Sequence, residues 1–103
     1  MKKKSSKLVK LEKERFSIFS DNNNQCYFCH STYNLTWHEI FSGRNRQNSM
    51  KYGLCLRMCL NCHQRYQDDK NFNDEWRHKG QIKFEEIYPE LDFLSIFKKN
   101  YKK

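Results

Sequence analysis

No apolar run in this chain is long enough to cross a bilayer. None follows the basic start Met1-Lys2-Lys3-Lys4 as a signal-peptide core would, so neither membrane insertion nor export is expected. Hydrophobic residues are few, 37% of 103 with a mean hydropathy of −1.08, so the core must be thin. Acidic residues are outnumbered 12 to 20 by basic ones, giving a net charge of +8; the terminal lysines read equally as solvated tails, while Arg44, Arg46 and Lys51 favour a polyanionic partner. Proline occurs once, glycine three times, and no repeat or linker divides the chain. One small domain is expected, preceded by a basic N-terminal tail or helix over residues 1–13.

Aromatic residues, at 16%, must supply much of the buried area. A domain this small and polar usually needs a staple such as a disulfide or a metal. A cytoplasmic location keeps thiols reduced, which turns paired cysteines toward metal. Five cysteines also pair badly as disulfides, whereas four ligands and one spare account for all of them.

Four of the five stand in two Cys-x-x-Cys-His pentads, Cys26-Tyr27-Phe28-Cys29-His30 and Cys59-Leu60-Asn61-Cys62-His63. A Cys-x-x-Cys turn lets two sulfurs converge on one point, and two such turns complete the tetrahedron that zinc prefers. Cys26, Cys29, Cys59 and Cys62 are therefore the expected structural zinc ligands. Cys55 falls in a strand-like stretch and reads as a small core residue. The same pentad is also the attachment signature of c-type haem, with His38 and His78 as distal ligands, but haem attachment requires export.

Along the chain, Arg15 to Ser20 reads as a short strand and Asp21-Asn22-Asn23-Asn24 as a turn. Tyr33 to Phe41 reads as a strand, Ser42 to Tyr52 as a loop, and Gly53 to Met58 as a second, antiparallel strand. The second cysteine pair should open a helix. Phe72, Trp76, Gly80, Phe84 and Ile87 recur at helical spacing as a core stripe that stops near Tyr88, ahead of Pro89. Leu91, Leu94, Phe97 and Tyr101 suggest a last helix with Pro89 near its start.

Cys26-x2-Cys29, His38-Glu39-Ile40-Phe41-x-Gly43-x-Asn45-Arg46, Ser49-x-Lys51-Tyr52-Gly53 and Cys59-x2-Cys62-His63 together resemble the small HNH-type proteins of bacteriophages and prophages. The resemblance covers residues 15–88. It implies an α+β fold, a zinc-stabilised treble-clef or ββα-metal domain over residues 14–103 with additional C-terminal helices. It also implies a catalytic divalent ion, Mg²⁺ or Mn²⁺, and a DNA phosphodiester substrate in a bacterial host's cytoplasm. On this mapping His38 and His63 hold the ion, and Glu39 stands where the motif usually has its histidine base. The middle asparagine falls at Leu54, so Asn45, Asn48 or Gln47 would have to substitute.

Plainer roles stand beside these. His38 and His63 can serve as satisfied structural histidines, His30 as a donor toward the sulfurs, and His78 as a surface residue. Arg44, Arg46 and Lys51 flank the same segment and suit phosphate contacts. The leading expectation is a metal-dependent endonuclease acting on DNA. The alternatives are a degenerate module that binds nucleic acid without cutting it, and a phage-encoded protein engaging a host enzyme.

Overall fold

Two short antiparallel strands, β1 (Leu35–Glu39) and β2 (Cys55–Cys59), form the centre of the computed structural model, which describes residues 6–102. Trp37 faces Arg57 and His38 faces Leu56 across the ladder. Because side chains alternate along a strand, Thr36, His38, Leu56 and Met58 share one face. Leu35, Trp37, Glu39, Cys55, Arg57 and Cys59 share the other. Both strands lie within a residue or two of the expected segments. β1 begins only at Leu35 because Asn34 is left-handed, with φ 52°.

Helices surround the hairpin: α1 (Ser6–Lys13), α2 (Arg46–Tyr52), α3 (Leu60–Tyr66), α4 (Lys70–Ile87) and α5 (Phe93–Phe97). The basic residues Lys2, Lys3, Lys4 and Lys103 lie outside the described residues. Among those described, no helix is long and apolar enough to cross a membrane.

Two local expectations are corrected. The strand-like stretch from Arg15 to Ser20 pairs with neither strand; Ile18 N–H donates to Gly53 O at 2.9 Å and holds it in place. The Ser42–Tyr52 segment is not an open loop but a 3₁₀ turn (Gly43–Asn45) running into α2. Ser49 closes it: its hydroxyl donates to Phe41 O at 2.6 Å and accepts from Phe41 N–H at 3.0 Å. Gly53 ends α2 in the left-handed conformation, φ 74°, with the Phe16 ring and Ile18 lying where a Cβ would point.

Cys59 caps α3, its sulfur accepting from Cys62 N–H. Asp69 caps α4, accepting from Phe72 N–H, and α4 ends before Pro89 as expected. Its buried stripe holds Trp76, Gly80 and Phe84, but Ile87 is exposed and Gln81 is buried instead. Gln81 is satisfied there, its Oε1 accepting from Tyr101 N–H at 2.6 Å. Asp92, not Pro89, caps α5. Phe97 is buried as expected, but Phe93 joins it in place of Leu91 and Leu94, which are exposed, and the helix ends before Tyr101.

The core is aromatic where aliphatic residues are short. Phe41, Phe84, Phe93 and Phe97 are almost fully buried, with Phe93 and Phe97 stacked at 4.4 Å. Cys26 and Cys59 belong to the same buried cluster, so the sulfur site and the helical packing are continuous.

Candidate metal centre

The first cysteine pair sits in a turn closed by its own backbone. Cys26 N–H donates to Ser31 O at 2.8 Å, His30 N–H to Cys26 O at 3.0 Å, and Cys29 N–H to Cys26 Sγ at 3.5 Å. His30 completes the turn with φ 66°. The second pair spans the end of β2 and the first turn of α3, where Cys62 N–H donates to Cys59 Sγ at 3.5 Å. All four sulfurs lie within 4.8 Å of one another, with Cys29 and Cys59 at 3.5 Å. Tetrahedral bonds of ~2.3 Å place sulfurs about 3.8 Å apart, so this cage is of the size that holds a metal ion such as zinc.

The electrostatics agree. Burial pushes the Cys26 thiol up, yet the amides of Cys29, Cys59 and Phe28 outweigh it and bring the group down to about 6. Cys62 is pushed up by burial and by the neighbouring sulfurs. Four sulfurs this close cannot all ionise without a cation among them. Cys55 stands apart as expected: fully buried, donating to Ser49 O at 3.6 Å, and pushed up to about 12 by burial.

Beside this cage, on the other face of the sheet, β1 and α3 bring His38 and His63 together, ring centres 5.4 Å apart and nearly perpendicular. Phe72 of α4 covers His38, ring centres 6.0 Å apart. His38 is 8% exposed, and its Nε2 is buried without a hydrogen-bond partner. Burial first, then the proximity of His63, lowers its pKa to about 4, so the imidazole is neutral with a free lone pair. Thr36, on the same strand face as His38, orients the His63 ring. Its hydroxyl donates to Met58 O at 2.9 Å and therefore accepts from His63 Nδ1–H at 2.8 Å. His63 Nε2 lies outside that hydrogen bond. Two-residue spacing from His38 along a strand was the available signal for Thr36.

Glu39 is not brought to this pair. Strand alternation points it to the opposite face, where Arg15 Nη2 holds it at 2.7 Å and Arg46 Nε at 3.3 Å. Arg46 also holds Glu12 of α1 at 2.6 Å, so its charge is already matched and it is poorly placed for phosphate. Arg44 and Lys51 are exposed. Asn45 and Asn48 do not approach the histidines: their amides donate to Phe97 O and Ile96 O and tie α2 to α5. Gln47 is exposed. His30 pairs with Gln25 at 2.7 Å rather than with a sulfur, and His78 Nδ1 lies 3.3 Å from Tyr101 O.

No protein-family model matches this chain, and neither a curated protein nor a solved structure is found to match it.

Proposed function

We propose that the chain is an HNH-type, metal-dependent endonuclease of treble-clef architecture, with zinc on the four cysteines and one divalent ion, Mg²⁺ or Mn²⁺, between His38 and His63. The observation that carries this reading is the meeting of two distant histidines, one with a buried and unpartnered Nε2. A neutral His38 presents a lone pair beside a His63 oriented by Thr36, which is the chemistry a divalent ion requires. When bound, such an ion polarises a phosphoryl oxygen and acidifies an attached water. Arg44 and Lys51, exposed on the segment between the strands, contribute salt-sensitive contacts to the DNA backbone. Glu39 is not the base in this proposal; it braces α1 and α2 through Arg15 and Arg46.

Plasmid nicking with each divalent ion tests the reading. Cutting stimulated by Mg²⁺ or Mn²⁺ is expected, lost to background in His38→Ala and His63→Ala and retained in Glu39→Gln. Thr36→Val should cost about 10–100-fold, as loss of a ligand's orienting partner does. Absence of metal-stimulated cutting, or equal cutting by His38→Ala, rejects it.

The ion-paired state of Glu39 favours a second reading, a nucleic-acid-binding module that does not cleave. Salt-dependent DNA binding that survives His38→Ala, with no cutting under any ion, selects that reading.

A further inference from the structure

The sheet face opposite His38 carries two charged side chains, Glu39 and Arg57. Glu39 is taken by Arg15 and Arg46, and Arg57 has no carboxylate at ion-pair distance among the described residues. The Arg57 guanidinium is nonetheless held in a fixed pose. Its carbon lies 4.8 Å from the Trp37 ring centre, and its Nε donates to Asn23 O at 3.1 Å. Among the described residues, neither terminal nitrogen has a protein acceptor. Burial, with Arg15 nearby, pushes Arg57 below the usual arginine range, so its charge is uncompensated as well as half-buried.

Buried polar groups in folded chains are nearly always satisfied, and each exception calls for a cause. Three side-chain atoms among the described residues are buried without a partner: His38 Nε2, Arg15 Nε and Asn23 Oδ1. The first belongs to the histidine pair. Arg15 Nε is a donor on a residue whose charge is felt at Arg57, whereas Asn23 Oδ1 is an acceptor that an anion does not satisfy.

We propose that Arg57, stacked on Trp37, is a phosphate-binding site on the outer face of the hairpin. Its two free nitrogens take two oxygens of one phosphate, the planar fork matching that geometry as a lysine ammonium does not. Arg15 is already held by Glu39 at 2.7 Å, so the contacts to the anion come from Arg57 itself. Free phosphate and a nucleic-acid backbone share this chemistry. The site is independent of the histidine pair, because it lies on the other face and is read by binding rather than cleavage.

Indole emission in the full-length, zinc-loaded chain supplies the test, since Trp37 is the more accessible of the two tryptophans. One arm titrates inorganic phosphate, the other a thymidine oligonucleotide at several salt concentrations. A saturable change is expected in at least one arm. Response to both identifies a general phosphate site, and response to the oligonucleotide alone identifies a backbone site. Arg57→Gln should weaken binding about tenfold or more and, for the oligonucleotide, lower the salt slope by about one. Arg57→Lys preserves the charge but loses the fork, and should also bind more weakly; Arg65→Gln, at an exposed position of α3 beside Tyr66, should bind phosphate as the parent does. No emission change in either arm, or parental affinity in both Arg57 variants, overturns the proposal.

Discussion

Cys55 and Cys59 lie four residues apart on one strand and one sheet face, yet they have different chemistry. Cys59 reaches the sulfur cage from the strand's end, while Cys55 is enclosed and hydrogen-bonded to Ser49 O. Cys55→Ala should leave the zinc content at one per chain and cost about 1 kcal/mol, the scale of a small buried truncation. Cys59→Ala should abolish stoichiometric zinc; metal analysis after gel filtration decides both. His38 makes a pH prediction with a definite sign. Its folded pKa of about 4 lies below the ~6.5 of an exposed histidine. Between those values the unfolded chain binds a proton that the folded chain refuses, so stability falls as pH drops through that window and levels off below it. The slope owed to this residue is about 1 kcal/mol per pH unit. Acid would also weaken any metal–thiolate bonds at the cage, but equally in a variant. Thermal midpoints of the parent and His38→Gln from pH 7 to 5 should therefore converge as pH falls. Parallel curves would remove His38 from the account.

The elements were legible in proportion to how local their causes are. The long helix was plain because Trp76, Gly80 and Phe84 repeat on one side and the chain must leave the helix before Pro89. The first strand was plain because β-branched and aromatic residues cluster between Tyr33 and Phe41, and the second as the partner of that strand across the intervening segment. α2 was not, because its sequence offers almost no apolar periodicity. It folds because Ser49 satisfies Phe41's backbone and Gly53 turns the chain back, and both depend on partners elsewhere in the chain. The Arg15–Ser20 segment shows the converse: strand-like composition without an edge to join. Gly53 links these two elements, with Phe16 and Ile18 over its bare Cα. Gly53→Ala must adopt φ 74° with a Cβ and also displace that ring. A loss of about 2–4 kcal/mol is expected in denaturant unfolding, from the backbone and overpacking costs together. A loss below about 1 kcal/mol would mean that residues 16–18 can move aside freely and do not fix the α2–β2 junction.

At the scale of the whole molecule, the four sulfurs were legible and the acid–base geometry was not, for one physical reason. Cys-x-x-Cys spacing is set by a single turn of backbone, so sequence nearly determines where the two sulfurs point. Whether Glu39 joins His38, or Arg57 finds a carboxylate, depends on strand parity and on which side chains reach across from α1 and α2. The sulfur cage joins the segment that carries Cys26 to the β2–α3 junction, and two of its members lie inside the continuous buried cluster. The hairpin alone contributes only five residues per strand, too little to stand without further packing. Without a cation among them, four sulfurs at the point where the segments meet repel one another as they ionise. A strong chelator should abolish the near-ultraviolet aromatic signal from the Phe28, Phe72 and Trp76 cluster beside the cage as well as lower the thermal midpoint. Readdition of zinc should raise the midpoint in step with the logarithm of free zinc, as mass action requires for an ion bound only by the folded state. A chelated, metal-free chain with an unchanged midpoint would show that the aromatic packing of α4 and α5 suffices alone, and that the cysteines are not the staple of this fold.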